Sequence, residues 1–200
     1  ANMASQVDIY NLSLNHLGMR EVSSITEDTP SVDALNTFYQ PCLDDLFGEY
    51  KWPFATVKAA LVSATDTTAE LEWSYIYVRP TAAATVWYVY NESTLTTKDE
   101  QEFEVIYQSS TNRRLICSNL ETAYAEYTHK LSDTTLYSPK FVLALSYKLA
   151  ASCAGTLLRD IKTGSQIMEM ATMYIQEAKR IGFSEKRKKV TPTSAYKSAR

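Results

Sequence analysis

The sequence predicts an α+β protein that is mainly α: an antiparallel helical bundle with a small inserted antiparallel β lobe and an extended C-terminal arm. Three observations predict it. Apolar residues recur at steps of three and four in four stretches, each beginning or ending at a helix-boundary signal. Between residues 73 and 129 that period gives way to short alternating runs rich in Tyr, Val, Ile and Thr, the signature of strands. After Phe183 neither period survives and basic residues take over. The expected division is therefore 1–64 with 130–183 as the helical part, 65–129 as the β lobe and 184–200 as a flexible basic arm.

Ser5 to Leu17 reads as the first helix. Val7, Tyr10, Leu14 and Leu17 share one face, and Gly18 stands as the residue after its end. A loop follows, in which Val22 and Ile25 are expected to pin the chain to the core. The second helix is the organising element. Thr29 caps it and Pro30 takes a first-turn position that needs no N–H donor. Leu35, Phe38, Tyr39, Cys42, Leu46, Phe47 and Tyr50 form its stripe over about 20 residues, roughly 30 Å of helix. Pro41 in the middle removes a backbone donor, so a kink or a break into two pieces is expected there. The run closes in Trp52-Pro53-Phe54, a corner expected to plug the end of the helical core, with an exposed aromatic anchor for a partner as the alternative.

Thr56 to Ala64 suits either a short helix or an extended segment, and Thr65 to Glu70 a loop. Strands are expected at 73–78, with Trp73, Tyr75 and Tyr77 on one face, and at 85–90. Asn91 to Gln101 reads as a polar loop. Strand 102–107 places Phe103, Val105 and Tyr107 on one side, and Ser109 to Asn112 has the chemistry of a turn into a hairpin partner at 114–117. Ala123 to His129 reads as a last strand. Ser138-Pro139 then opens a helix with Phe141, Leu145, Leu149 and Cys153 spaced by four, widened by Val142 and Leu157. Gly164-Ser165 is read as the start of a final helix with the stripe Ile167, Met170, Ala171, Tyr174 and Ala178, ended by Gly182.

Composition narrows the function. Five glycines in 200 residues argue against Gly-rich phosphate loops. The three cysteines, Cys42, Cys117 and Cys153, make neither a metal spacing nor a disulfide framework and read as buried free thiols. The chain has no apolar run of 18 residues, so no membrane span is expected. Its first residues lack a signal-peptide pattern, which points to synthesis in a cytosol. The tail 184–200 holds Lys186, Arg187, Lys188, Lys189, Lys197 and Arg200 against Glu185, a net +5 that leaves −8 on the rest of a chain whose total is −3.

No catalytic constellation stands out. There are two histidines, His16 and His129, and no phosphate-loop, zinc-hydrolase or nucleophile-elbow motif. Asp44 and Asp45 are adjacent on a helix, so their side chains diverge by about 100°. Glu102 and Glu104 share a strand face, which could in principle bind a cation but more commonly means a solvated edge. No enzyme, metal or cofactor is expected. The basic tail, with Tyr196 as its one aromatic, suits sequence-nonspecific DNA binding, a solvated tail, or an arm that folds onto an acidic protein surface.

Several segments together resemble a known family. These are IYNLSLNHLGMREVSSITEDTP (9–30), the long helix closing in Trp52-Pro53-Phe54, Trp73-Ser74-Tyr75 through Arg79-Pro80, LYSPKFVLALSYKLAASCA (136–154) and TGSQ (163–166). In this order, from Val7 to Gly182, they resemble the head-to-tail adaptor (tail tubular protein A, gatekeeper ring) proteins of short-tailed bacteriophages, from which Pro41 departs. The resemblance implies a virion structural protein of the tail or neck, assembled in the host cytoplasm and carrying out no reaction. It implies a ring of twelve copies that joins the portal protein to the tail nozzle protein, continues the channel for genomic DNA and helps retain the genome until ejection. The arm, with Lys186, Arg187, Lys188, Lys189, Tyr196, Lys197 and Arg200, would then dock on the portal.

Overall fold

The computed structural model describes residues 4–64, 73–91 and 100–184. Four α-helices lie among them: α1 (Gln6–His16), α2 (Pro30–Glu49), α3 (Pro139–Leu157) and α4 (Ile161–Ser184). The strands are β1 (Thr56–Ala60), β2 (Val62–Ser63), β3 (Tyr75–Val78), β4 (Ala83–Tyr90), β5 (Glu100–Gln101), β6 (Phe103–Gln108), β7 (Arg113–Ser118) and β8 (Tyr124–His129). They form two four-stranded antiparallel sheets, ordered β1-β8-β4-β5 and β2-β3-β7-β6.

This architecture corrects the expected fold class. The β part is not a small lobe on a helical bundle; the fold is α+β, with two full sheets beside four helices. The segment 56–63 is strand, not part of the helical portion. β1 pairs with β8, Thr56 opposite Thr128 and Ala60 opposite Tyr124. That partner lies far along the chain, and strand formation at so weak a local signal depends on it. The expected loops at 65–70 and 91–101 lie mostly outside the described residues, as do the arm residues beyond Ser184.

Local signals account for the helix starts. Ser5 and Asp8 make a reciprocal capping box on α1. Thr29 accepts from the Val32 amide with Pro30 in the first turn, and Ser138 accepts from the Phe141 amide with Pro139 behind it. Gly18 follows α1 at φ +67°, a conformation glycine adopts without steric cost.

Of the kink or break expected at Pro41 the break is absent, and details of α4 differ from expectation. α2 runs unbroken through Pro41. Pro41 and Thr37, whose carbonyl loses its donor, are both exposed, so the proline sits on the side of the helix open to solvent. α4 begins at Ile161, with Asp160 accepting from the Lys162 amide and the Thr163 hydroxyl, rather than at Gly164. Gly182 lies inside α4 instead of ending it. On α4, Met170 is exposed and Ile175 takes its expected place in the buried stripe with Ile167, Ala171 and Ala178.

The layers follow one another in a stack. α4 packs chiefly on α3; α3 packs on α1 and α2; α2 touches β4 and β8 of the first sheet. The first sheet then meets the second through Val86 and Val89 against Tyr77, Ile116 and Phe103. In the second sheet Trp73 sides with Ile76, Leu115 and Cys117 on the far face, not with Tyr75 and Tyr77. The face of Phe103, Val105 and Tyr107 is only partly covered: Phe103 packs inward, whereas Val105 is 41% and Tyr107 63% exposed. β6 is an edge strand.

Candidate functional site

The corner Trp52-Pro53-Phe54 sits where α2, α3 and α4 meet. Pro53 starts a short 3-10 turn, and Trp52 is 1% exposed with its indole N–H donating to the Leu46 carbonyl at 2.7 Å. Phe141, the first apolar residue of α3, is the hub of the cluster. Its ring lies 5.0 Å from Trp52, 5.0 Å from Phe54, 5.1 Å from Phe47 and 5.1 Å from Tyr137, mostly edge to face, the geometry that aromatic quadrupoles favour. Phe54 is half-buried and Trp52 is fully inside.

The C-terminal end of α4 closes over this corner. A Cβ placed on Gly182 would stand 3.1 Å from Cδ of Pro53 and 3.5 Å from the Tyr50 ring. Two ion pairs hold α4 in place, Lys140 to Glu177 and Lys179 to Glu49, each at 2.8 Å. A shallow, largely apolar cavity of about 140 Å³ remains, lined among others by Trp52, Phe54, Pro139, Lys140, Ile181 and Gly182. The basic residues 186–200 follow directly from this end of α4; Lys186, Arg187, Lys188, Lys189, Tyr196, Lys197 and Arg200 lie outside the described residues.

The two histidines lie on different elements, His16 at the end of α1 and His129 at the end of β8. His16 stacks on Tyr147 at 3.7 Å, and Tyr147 stacks on Tyr174 at 4.6 Å, so three rings tie α1, α3 and α4 together. Its Nε2 lies 3.1 Å from the hydroxyl of buried Ser146. That hydroxyl also lies 2.9 Å from the Leu143 carbonyl, to which it can donate, an arrangement that suits an Nε2–H tautomer of His16 donating to Ser146. Burial holds the His16 imidazole below its ordinary pKa. His129 ends β8, beside Tyr127.

The acidic candidates serve as ties. Asp44 pairs with Lys130 at 2.9 Å and Asp45 with Lys148 of α3, so the two carboxylates diverge. Glu104 accepts from the Trp73 indole at 3.1 Å; Glu102 precedes β6, its carbonyl accepting from the Ser118 hydroxyl. Among the described residues no group of three or more His, Cys, Asp and Glu stands together as a metal site, and no helix is long and apolar enough to cross a membrane.

Sequence reasoning missed one charged cluster. Glu126 is buried in β8, with Lys51 at 2.5 Å, Lys58 at 3.9 Å and the Tyr90 hydroxyl donating at 2.6 Å. Lys51 also lies 4.6 Å from the centre of the Tyr88 ring. Burial alone raises the Glu126 carboxyl; the hydrogen bonds from Lys51 and Tyr90 and the two ammonium charges outweigh it and hold the carboxyl below its ordinary pKa. A lone Glu amid the apolar run of 123–129 was the only local sign. All its buried neighbours are satisfied: among the described residues no buried side-chain nitrogen or oxygen lacks a partner. The cluster joins the segment after α2 to strands β1, β4 and β8 of the first sheet. No protein-family model and no curated protein matches the chain.

Proposed function

We propose that the chain is a subunit of a head-to-tail adaptor ring of the short-tailed bacteriophage type, which joins portal to tail nozzle and continues the DNA channel. The observation that carries this reading is the +5 segment of residues 184–200, on a chain otherwise at −8, following an α4 whose end is seated on the Trp52-Pro53-Phe54 corner. A firmly seated helix end followed by a basic segment suits a protein that docks through that segment onto a larger assembly. The resemblance of segments 9–30, 52–54, 73–80, 136–154 and 163–166 supports the same reading. The partners are the portal protein, the nozzle protein and further copies of the chain, and the role is structural.

The test is the mass of the cognate portal ring with and without this protein. A gain of roughly twelve chain masses, as a closed ring would give, is expected. Deleting residues 184–200 should abolish that gain while circular dichroism still reports the same helix and strand content. No gain with both partners folded overturns the reading. If the deletion instead removes DNA affinity and leaves portal binding intact, the tail is a sequence-nonspecific DNA-binding segment.

A further inference from the structure

Two arginines stand side by side on the second sheet. Arg79 follows β3, and its amide donates to the Arg114 carbonyl of β7 at 3.2 Å. Arg114 in turn lies opposite Tyr107 of β6. Directly opposed residues share a face. Arg79, Arg114 and Tyr107 therefore form a row across three strands, about 10 Å long at the ordinary strand spacing. The row continues the face of Tyr77 and Ile116, which packs toward the first sheet. Arg79 is half-buried, and its guanidinium donates to the Ala84 carbonyl of β4 at 2.8 Å. Arg114 and Tyr107 are exposed, and the Tyr107 hydroxyl donates to Asn112 at 2.8 Å. Among the described residues the Arg114 guanidinium makes no hydrogen bond, and neither arginine is in an ion pair. Glu104 points to the opposite face, across from Cys117, and Glu126 is held by Lys51 and Lys58.

Like charges directly opposed across two strands destabilise a sheet. The repulsion is felt here: burial, and then the Arg114 charge, hold the Arg79 guanidinium below its ordinary pKa. We infer that the Arg79–Arg114 row binds the phosphodiester backbone of nucleic acid, without regard to sequence. An anion seated between the two guanidiniums would turn their repulsion into attraction for the ligand. The chemistry chooses phosphate. A carboxylate is matched by one guanidinium, which takes both its oxygens. Two guanidiniums on neighbouring strands suit a phosphate, whose oxygens diverge. The openness of the row chooses a polymer over a small phosphate, because small ligands are held in pockets that enclose them, whereas backbone phosphates are met at an open surface. The chain outside 184–200 is net −8, so the arginine row is a local reversal of sign. The inference stands apart from the adaptor reading and from the basic segment 184–200, neither of which places a contact on the second sheet.

The full chain tests this with a fluorescently labelled DNA duplex of about 20 base pairs, its affinity followed by anisotropy over a range of salt concentrations. Arg114→Gln should weaken binding about tenfold at about 50 mM salt and reduce the slope of log K against log salt by about one, the loss of one phosphate contact. Arg114→Lys keeps a point charge and should keep most of the slope. Lys162→Gln removes the same charge from exposed α4 and should change neither quantity. A loss in Arg114→Gln no larger than in Lys162→Gln overturns the inference. So does equally tight binding of poly-glutamate with the same loss in Arg114→Gln, which would make the row a carboxylate site. The free chain supplies a second readout. Arg114→Gln removes a like charge and breaks no bond, so its urea midpoint should rise; a fall would show Arg114 bonded within the protein and overturns the inference as well. The portal mass experiment keeps the two readings separate. Portal uptake with duplex affinity indifferent to Arg114 removes the phosphate row alone, and Arg114-dependent duplex binding without portal uptake removes the adaptor role alone.

Discussion

Gly182 of α4 rests against Pro53, with room of only 3.1 Å between Cδ of the proline and the place where a Cβ would stand. The helix end therefore approaches the corner as closely as backbone allows, and Pro53 cannot retreat because Trp52 beside it is buried and hydrogen-bonded. In Gly182→Ala the gain in helix propensity, about 1 kcal/mol, offsets the squeeze, and near-neutral stability is expected. Gly182→Val adds two further methyl groups against the proline and should cost about 2 kcal/mol. Urea denaturation of the two variants checks the contrast.

Glu126 makes stability depend on pH in the acid range. Its folded-state pKa lies below the ordinary 4.5, so its contribution is full above about pH 4.5 and is lost as the pH falls through the folded value. Removing the close partner should matter more than the pH. Lys51→Met strands a buried carboxylate and is expected to cost about 3 kcal/mol. Lys58→Met removes a more exposed ammonium at 3.9 Å and should cost less than about 1 kcal/mol. Equal losses in the two variants would refute this ranking.

The His16–Tyr147–Tyr174 stack gives a second pH window, distinct from the first. Burial depresses the His16 pKa below 6.5, so the unfolded chain takes up this proton more readily than the folded one. The contribution is then full above pH 6.5 and declines as the pH falls below it, until the folded-state pKa is passed. His16→Phe keeps a flat ring in the stack and loses the titrating group. Its stability should vary less than that of the parent chain between pH 5 and 7, measured by chemical denaturation at each pH.

The thiols should be silent in the native protein. Cys42, Cys117 and Cys153 are all buried and free. Burial raises each of them, Cys153 to about 12, which leaves almost no thiolate to attack a reagent. A colorimetric thiol reagent at pH 8 is expected to find no fast-reacting group in the folded chain and three groups after denaturation. Rapid reaction of any thiol before unfolding would count against this packing.

The sequence by itself determined what is local. Thr29-Pro30 and Ser138-Pro139 mark helix starts because a cap and a first-turn proline act within one turn, and Phe141, Leu145, Leu149 and Cys153 all end fully buried because a period near four selects one helix face. Tertiary structure decided whatever depends on distant partners. Thr56 to Ala60 became a strand because β8 is there to pair with it. Val105 and Tyr107 alternate like core residues yet stand exposed on the edge strand of the second sheet. Gly182 reads as a helix stop, but its missing Cβ instead admits Pro53. Glu126 is tolerated inside because Lys51 and Tyr90, brought from other parts of the chain, neutralise and bond it. Periodicity and capping are properties of a few neighbouring residues; pairing, coverage and close approach exist only once remote segments have met.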